Sequence, residues 1–130
     1  MPDHGINLTQ AEWSVMEQLW EAGALTGRDV TQRMEQRCGW SRSTTLTLLS
    51  RLEAKGAVES LAAAKGPKVF SPLLKREDAA LDETKDFLNR VYQGSLSLMV
   101  SALTQKQALP QEELDQLYAL LKGLEEERHD

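Results

Sequence analysis

Gly39-Trp40-Ser41-Arg42-Ser43-Thr44-Thr45-Leu46-Thr47-Leu48-Leu49-Ser50-Arg51-Leu52-Glu53-Ala54-Lys55-Gly56 reads as one short helix with two unlike faces. Leu46, Leu49 and Leu52 recur every three residues, with Leu48 beside them, which predicts a face turned toward a core. Ser43, Thr44, Thr47 and Arg51 fall largely on another side. Ser41 is the N-cap candidate, and Gly56 is a good C-terminal glycine. Small hydroxyl side chains near a helix start, flanked by arginines, suit a helix that enters the DNA major groove. Hydroxyls bond phosphates or base edges at short range, and a guanidinium adds charge and a bidentate fork. An ordinary amphipathic surface helix has the same periodicity, so the flanking sequence has to decide.

Upstream, Thr9-Gln10-Ala11-Glu12 carries a capping-box signal, with Thr9 as N-cap and Glu12 reaching back. Trp13, Met16, Leu19 and Trp20 follow at helical spacing, which predicts helix one over Gln10 to Glu21, ended by Gly23. Thr26 is the next N-cap, with Asp29 three residues on, and predicts helix two over Gly27 to Arg37. Val30, Met34 and Cys38 lie four apart on it, which makes Cys38 a small core residue. Downstream, Ala57-Val58-Glu59-Ser60-Leu61 alternates as a strand. Lys65-Gly66-Pro67 reads as a turn, Lys68-Val69-Phe70-Ser71 as the returning strand, and Pro72 as the break. Three helices followed by a hairpin are the layout of a winged helix-turn-helix, in which the third helix reads the groove and the hairpin touches the backbone. Lys65 and Lys68 bracket the hairpin tip, where a phosphate contact belongs. The expected DNA-binding residues are therefore Ser41, Arg42, Ser43, Thr44, Thr47, Arg51, Lys65 and Lys68, with double-stranded DNA as the partner. Trp13, Trp20 and Trp40 each belong to an apolar pattern and are expected to be structural rather than stacking residues.

Charge divides the chain in the same place. The net charge of -5 argues against indiscriminate nucleic-acid binding, but Arg28 to Lys68 holds eight basic and four acidic residues. Lys75 to Asp130 holds seven basic and twelve acidic ones. One half faces a polyanion and the other has a different job. Beyond Pro72 the pattern is all-helical. Residues Arg76 to Thr104 carry Phe87, Leu88, Val91, Leu96, Met99, Val100 and Leu103, with Gly94 able to interrupt them. Pro110 to Glu126 carries Leu114, Leu117, Tyr118, Leu121 and Leu124 as an apolar stripe. A second copy of the same segment is the simplest cover, giving a two-fold dimer; folding back on the chain's own first half is the other solution. Phe87, Val91, Leu96, Val100, Leu114, Leu117, Tyr118 and Leu121 are the expected dimerisation residues. The expected fold is mainly α with a small β-hairpin, as a winged-helix domain over 1–73 and a helical dimerisation domain over 74–130.

Enzyme chemistry has no foothold. His4 and His129 lie at opposite ends, no His, Cys and acid cluster has metal spacing, and no phosphate-cradling glycine loop is present. Glu112-Glu113 and Glu125-Glu126-Glu127 read as a helix start and a solvated tail. A single cysteine excludes an intramolecular disulfide. No cofactor is expected. No apolar run nears 18 residues, and Met1-Pro2-Asp3-His4-Gly5 lacks the basic and apolar regions of a signal peptide, so the expectation is a cytoplasmic protein away from the membrane.

Three blocks resemble one bacterial family, the penicillinase and methicillin-resistance repressors together with the copper-responsive repressors. They are Ala11-Glu12-Trp13, Val15-Met16 and Trp20; then Trp40-Ser41, Thr44, Thr47-Leu48, Arg51-Leu52 and Lys55-Gly56; then Phe87, Asn89-Arg90-Val91-Tyr92 and Gly94. The blocks keep the same order along nearly the whole chain. The resemblance implies a homodimeric transcriptional repressor on a palindromic promoter operator, with an N-terminal winged helix and a C-terminal helical dimerisation domain. Three positions depart from the pattern. Copper-responsive members carry paired Cys-x-Cys motifs near the C-terminus, whereas this chain ends Glu125-Glu126-Glu127-Arg128-His129-Asp130, which speaks against metal sensing of that kind. Resistance repressors are inactivated when a sensor-linked protease cuts an Asn-Phe bond; aligned from Asn89 to Leu114 without gaps, that bond falls at Ala102-Leu103, which speaks against such a protease as a partner. Resistance repressors also carry a basic residue at Leu46 and a proline at Arg42, so base preference is expected to differ. A small-molecule-responsive winged-helix regulator of another family, and a helical protein-interaction module without DNA binding, are the other readings of the residues.

Overall fold

Three of the helices are bounded by the signals that predict them. The computed structural model describes residues 6–62 and 65–129. Helix α1 spans Gln10–Ala22, and both halves of its capping box form: Thr9 Oγ1 accepts from the Glu12 N–H at 3.1 Å, and Glu12 Oε1 accepts from the Thr9 N–H at 2.8 Å. Helix α2 spans Gly27–Cys38 with Thr26 as N-cap, and α3 spans Arg42–Lys55 with Ser41 as N-cap. Gly39 and Gly56 close α2 and α3 in the left-handed conformation, with φ of 70° and 82°, where a side chain would be strained. Strand β1 is Leu25–Thr26, β2 is Val58–Ala62 and β3 is Lys68–Pro72.

The sheet is antiparallel in the order β1-β3-β2, with Leu25 opposite Phe70 and Ser60 opposite Phe70 from the other side. The two-residue β1 turns the expected hairpin into a three-stranded sheet. Pro72 does not break the pattern but ends β3, paired with Val58, a strand terminus being one of the places where a missing N–H is tolerated. The connection between β2 and β3 contains Lys65, Gly66 and Pro67 as expected, beside residues 63 and 64, which lie outside the described ones.

The first compact unit runs to Thr84. Its core takes Val15, Met16 and Leu19 from α1, Val30 and Met34 from α2, Leu48, Leu49 and Leu52 from α3, then Ala57, Val58, Phe70, Leu74 and Ala79. Each buried aliphatic side chain contributes roughly 1.5–3 kcal/mol relative to exposure. Leu74 and Ala79 carry this core past the sequence-based boundary at 73, into the first turns of α4, Arg76–Tyr92. Cys38 is exposed, contrary to its expected place in the core. Two steps of four residues rotate a helix about 80° past full turns, so the stripe that holds Val30 and Met34 has drifted off the core at Cys38.

The second unit, from Lys85 onward, holds the end of α4, then α5, Leu96–Gln105, and α6, Gln111–His129. The expected segment Arg76 to Thr104 is two helices. Gln93 and Gly94 both take positive φ, 51° and 82°, and Ser95 restarts the chain as N-cap by accepting from the Leu98 N–H at 3.1 Å. No described residue of this unit is buried.

Candidate nucleic-acid interface

Helix α3 is oriented by what it buries. Thr45, Leu48, Leu49 and Leu52 are its buried residues, spaced 3-1-3, and they point one stripe into the core. The sequence pattern places Leu46 in that stripe. Leu46 instead stays half-buried at its margin, 3.8 Å from where a Cβ on Gly27 would stand, and Thr45 takes the central position. The opposite side is left to water. Ser41, Arg42, Ser43, Thr44, Thr47 and Arg51 are all exposed.

Four of these residues come together. Ser43, Thr44, Thr47 and Arg51 line one open depression together with Leu48. Ser41 sits at its edge and orders the hydroxyls. Its Oγ accepts the Thr44 N–H at 3.2 Å and lies 3.2 Å from Ser43 Oγ and 3.0 Å from Thr44 Oγ1. Arg42, Lys65 and Lys68 do not line the depression; the two lysines are exposed on the wing, Lys68 as the first residue of β3. The wing is tied to α3 by a hydrogen bond from Ser60 Oγ to Glu53 Oε2 of 2.6 Å.

Not every cation of the basic segment is free. Lys55 Nζ lies 2.5 Å from Glu12 Oε1 and donates to the Asn7 carbonyl at 2.7 Å, so its charge is spent inside the fold. Glu12 is 1% exposed, and burial alone would raise its carboxyl. The Lys55 ammonium, together with the Thr9 backbone and hydroxyl, outweighs that and holds the group below the usual carboxylate range. Arg37 lies 3.9 Å from Glu21, and Arg33 reaches Gln18. Arg28, Arg42, Arg51, Lys65 and Lys68 have no carboxylate at ion-pair distance among the described residues.

Two exposed residues of the segment from Arg28 to Lys68 are not among the expected DNA contacts. Ser50, three residues after Thr47, is exposed on the open side of α3. Arg28 is exposed in the first turn of α2, where a cation opposes the helix dipole; that misfit was the available signal. Among the described residues no group of His, Cys, Asp and Glu could hold a metal ion, and no helix is long and apolar enough to cross a membrane.

Comparison with known proteins agrees with this architecture. The family model of the penicillinase repressor matches residues 8–123. The methicillin resistance regulatory protein MecI of Staphylococcus aureus is 28% identical over 123 residues, covering 93% of this chain and 98% of that protein. The penicillinase repressor of Bacillus licheniformis is 30% identical over 115 residues, covering 88% and 89%. Among solved structures, the DNA-binding domain of the repressor BlaI superposes with a TM-score of 0.51 at 26% identity, covering 55% of this chain and 87% of that one. The Bacillus licheniformis BlaI monomeric form in complex with the blaP half-operator gives the same score and identity, covering 56% and 88%. With the family match spanning both units and the three-helix-and-wing fold, this chain belongs to the penicillinase repressor family of winged-helix transcriptional repressors.

Proposed function

We propose that the chain represses transcription as a homodimer that places two copies of α3 in successive major grooves of a palindromic operator, with the wing on the phosphates. The observation that carries this reading is the open face of α3. Its hydroxyls and Arg51 share one depression beside the buried stripe, and among the described residues no carboxylate lies at ion-pair distance from Arg42 or Arg51. Ser43, Thr44 and Thr47 are short enough to read base edges, while Arg42 and Arg51 reach guanine or phosphate. Lys65 and Lys68 contact the backbone. The Bacillus licheniformis relative, solved as a monomeric form on a half-operator, supports one α3 per half-site.

The dimer reading rests on the second unit. Phe87, Val91, Leu96, Tyr118 and Leu121 are exposed in the single chain, and Val100, Leu114 and Leu117 are half-buried. Apolar helices that bury so little need a cover, and a two-fold copy supplies a self-complementary one. Control by cleavage at an Asn-Phe bond is not part of the reading. The aligned bond, Ala102-Leu103, lies inside α5 and offers no Asn side chain to a pocket built for one. Incubation with such a protease, followed by mass measurement, should leave the chain intact.

The test of DNA binding is a salt titration on the palindromic duplex that the chain selects from a random pool. Arg51→Ala and Lys68→Ala should each lower the slope of log affinity against log salt by about 0.9 per lost contact. Thr47→Ala should relax preference at one base pair by roughly 1–3 kcal/mol and leave non-specific binding unchanged. Unchanged slopes in both charge variants would remove α3 and the wing from the interface. A chain that selects no duplex would be a protein-interaction module.

A further inference from the structure

Helix α2 carries three arginines, and the fold uses two of them. Arg33 reaches Gln18 at 3.5 Å and Arg37 lies 3.9 Å from Glu21, both partners being in α1. Arg28 stands about 140° and 180° round the helix from these two, on the side away from α1. It is exposed, and no carboxylate lies at ion-pair distance from it among the described residues. Asp29, next in sequence, points about 100° away, and side chains at that offset do not face each other. A cation in the first turn also opposes the helix dipole, so the fold gains nothing local from an arginine there. Local rules are broken chiefly at functional sites.

The turn that holds Arg28 is packed against the reading helix. Strand β1 leads into α2 and pairs with β3, Leu25 opposite Phe70 and Thr26 opposite Val69. A Cβ on Gly27 would stand 3.4 Å from Phe70 Cε2 and 3.8 Å from Leu46 Cδ2, so the first turn of α2 meets both the wing strand and α3. Leu46 marks one margin of the open face of α3. Ser43, Thr47 and Arg51 follow at about 60°, 100° and 140° round the helix, which puts Arg51 on the far margin. Arg42, four residues before Leu46, belongs to the near one. A helix about 10–12 Å across fills a major groove about 12 Å wide, so a phosphate strand runs along each flank. We propose that Arg28 binds a backbone phosphate of the strand beside the Leu46 margin, opposite the strand that Arg51 meets, an assignment that rests on the DNA-binding reading above. Arg28 thereby widens the footprint beyond α3 and the wing, and it adds affinity without base preference.

The test uses the full chain on one half-site of the duplex that the wild type selects from a random pool, with each phosphate replaced in turn by a neutral methylphosphonate. Wild type should lose about three- to tenfold in affinity at each phosphate that a cation meets. Arg28→Ala should become insensitive to neutralisation at a phosphate of one strand, and Arg51→Ala at a phosphate of the other. Arg28→Ala should also bind the half-site and unrelated duplexes more weakly by the same factor. Between about 50 and 200 mM salt its affinity should fall about 3.5-fold less than that of wild type, the share of one contact. Arg28→Lys, which keeps the charge, should keep the wild-type slope. Arg28→Ala should melt no lower than wild type, because the arginine opposes its own helix dipole. An Arg28→Ala chain whose phosphate profile and salt slope match wild type overturns the assignment, and the reading through α3 stands if Arg51→Ala and Lys68→Ala still lower the slope. A profile that maps Arg28 and Arg51 to the same strand overturns it as well. Wild-type slopes in all three alanine variants, or a wild type that selects no duplex, overturn the assignment and the DNA-binding reading together.

Discussion

Helix α2 and helix α5 make opposite use of apolar residues. In α2 the large apolar side chains are Val30 and Met34, and both are fully buried. In α5 they are Leu96, Leu98, Met99, Val100 and Leu103, and none is buried. The difference lies in what surrounds each helix. Helices α1 and α3 and the sheet converge on α2's stripe within one chain. The helices of the second unit cover one another too little to exclude water, although Phe87 and Tyr92 meet edge to face at 6.1 Å. An apolar stripe states that a face must be covered; it does not name the cover.

The largest expected effect comes from charging the uncovered side. Leu117→Asp with Leu121→Asp should place two carboxylates in the proposed dimer interface, at a cost of several kcal/mol. Light scattering should then show a monomer, and titration on the selected palindrome should show a loss of about a hundredfold or more, while a single half-site is bound as before. In the unaltered chain, the melting of the second unit should move up with protein concentration and that of the winged unit should not. A double variant that stays dimeric and well folded would mean that these leucines serve the chain's own core.

The legibility of the two regions differs for the same reason. Helix ends were readable because each carried a local chemical mark, such as Thr9 with Glu12 or Ser41 with Gly56. The open face of α3 was readable from periodicity, and so were the wing lysines from the turn between alternating strands. What failed was longer in range or too short to have a pattern. The two residues of β1 show no alternation, and only their partners Phe70 and Val69 make them a strand. Lys55 counted as a free cation in the sequence, since nothing local says that Glu12 lies 43 residues back in the chain and against it in space. The bond from Trp20 to Leu74 spans 54 residues. Cys38 was misplaced by a stripe extended one step beyond the reach of the core.

The Glu12–Lys55 pair supplies the next prediction, confined to the winged unit. Removing a buried partner leaves the other charge uncompensated, but the Lys55 side chain is 33% exposed and recovers solvent. Glu12→Ala should therefore destabilise the unit by about 2 kcal/mol rather than the full cost of a buried orphan charge. The carboxyl is held lower in the folded chain than in the unfolded one. Its stabilisation is complete above the unfolded carboxylate value of about 4.3 and is lost as pH falls through the folded value below it. Denaturant melts from pH 7 to pH 3 should show the wild type losing more stability than Glu12→Gln over the acid part of the range, and only in the transition of the winged unit. Parallel curves for the two chains would show that the pair is solvated.

The smallest effect separates the regions by one substitution made twice. Thr45 is 0% exposed, and its Oγ1 has no hydrogen-bond partner among the described residues. Thr104, in α5, is exposed, and its Oγ1 donates to the Val100 carbonyl at 2.7 Å. Valine replaces either hydroxyl by a methyl group at nearly the same shape and the same helix propensity. At Thr45 the exchange removes a desolvated, unpaired polar atom, so Thr45→Val should stabilise the winged unit by about 0.5–1 kcal/mol. For a unit of this size that raises the melting temperature by about 2–8 °C. At Thr104 a back-bond to the helix is lost in water, and the expected change is within about 0.5 kcal/mol of zero. Because Thr45 points away from the depression that holds Ser43, Thr44, Thr47 and Arg51, half-site affinity should not move. A Thr45→Val chain destabilised by more than about 1 kcal/mol would show that the hydroxyl is paired in solution, and that a polar contact inside α3 helps to hold its reading face.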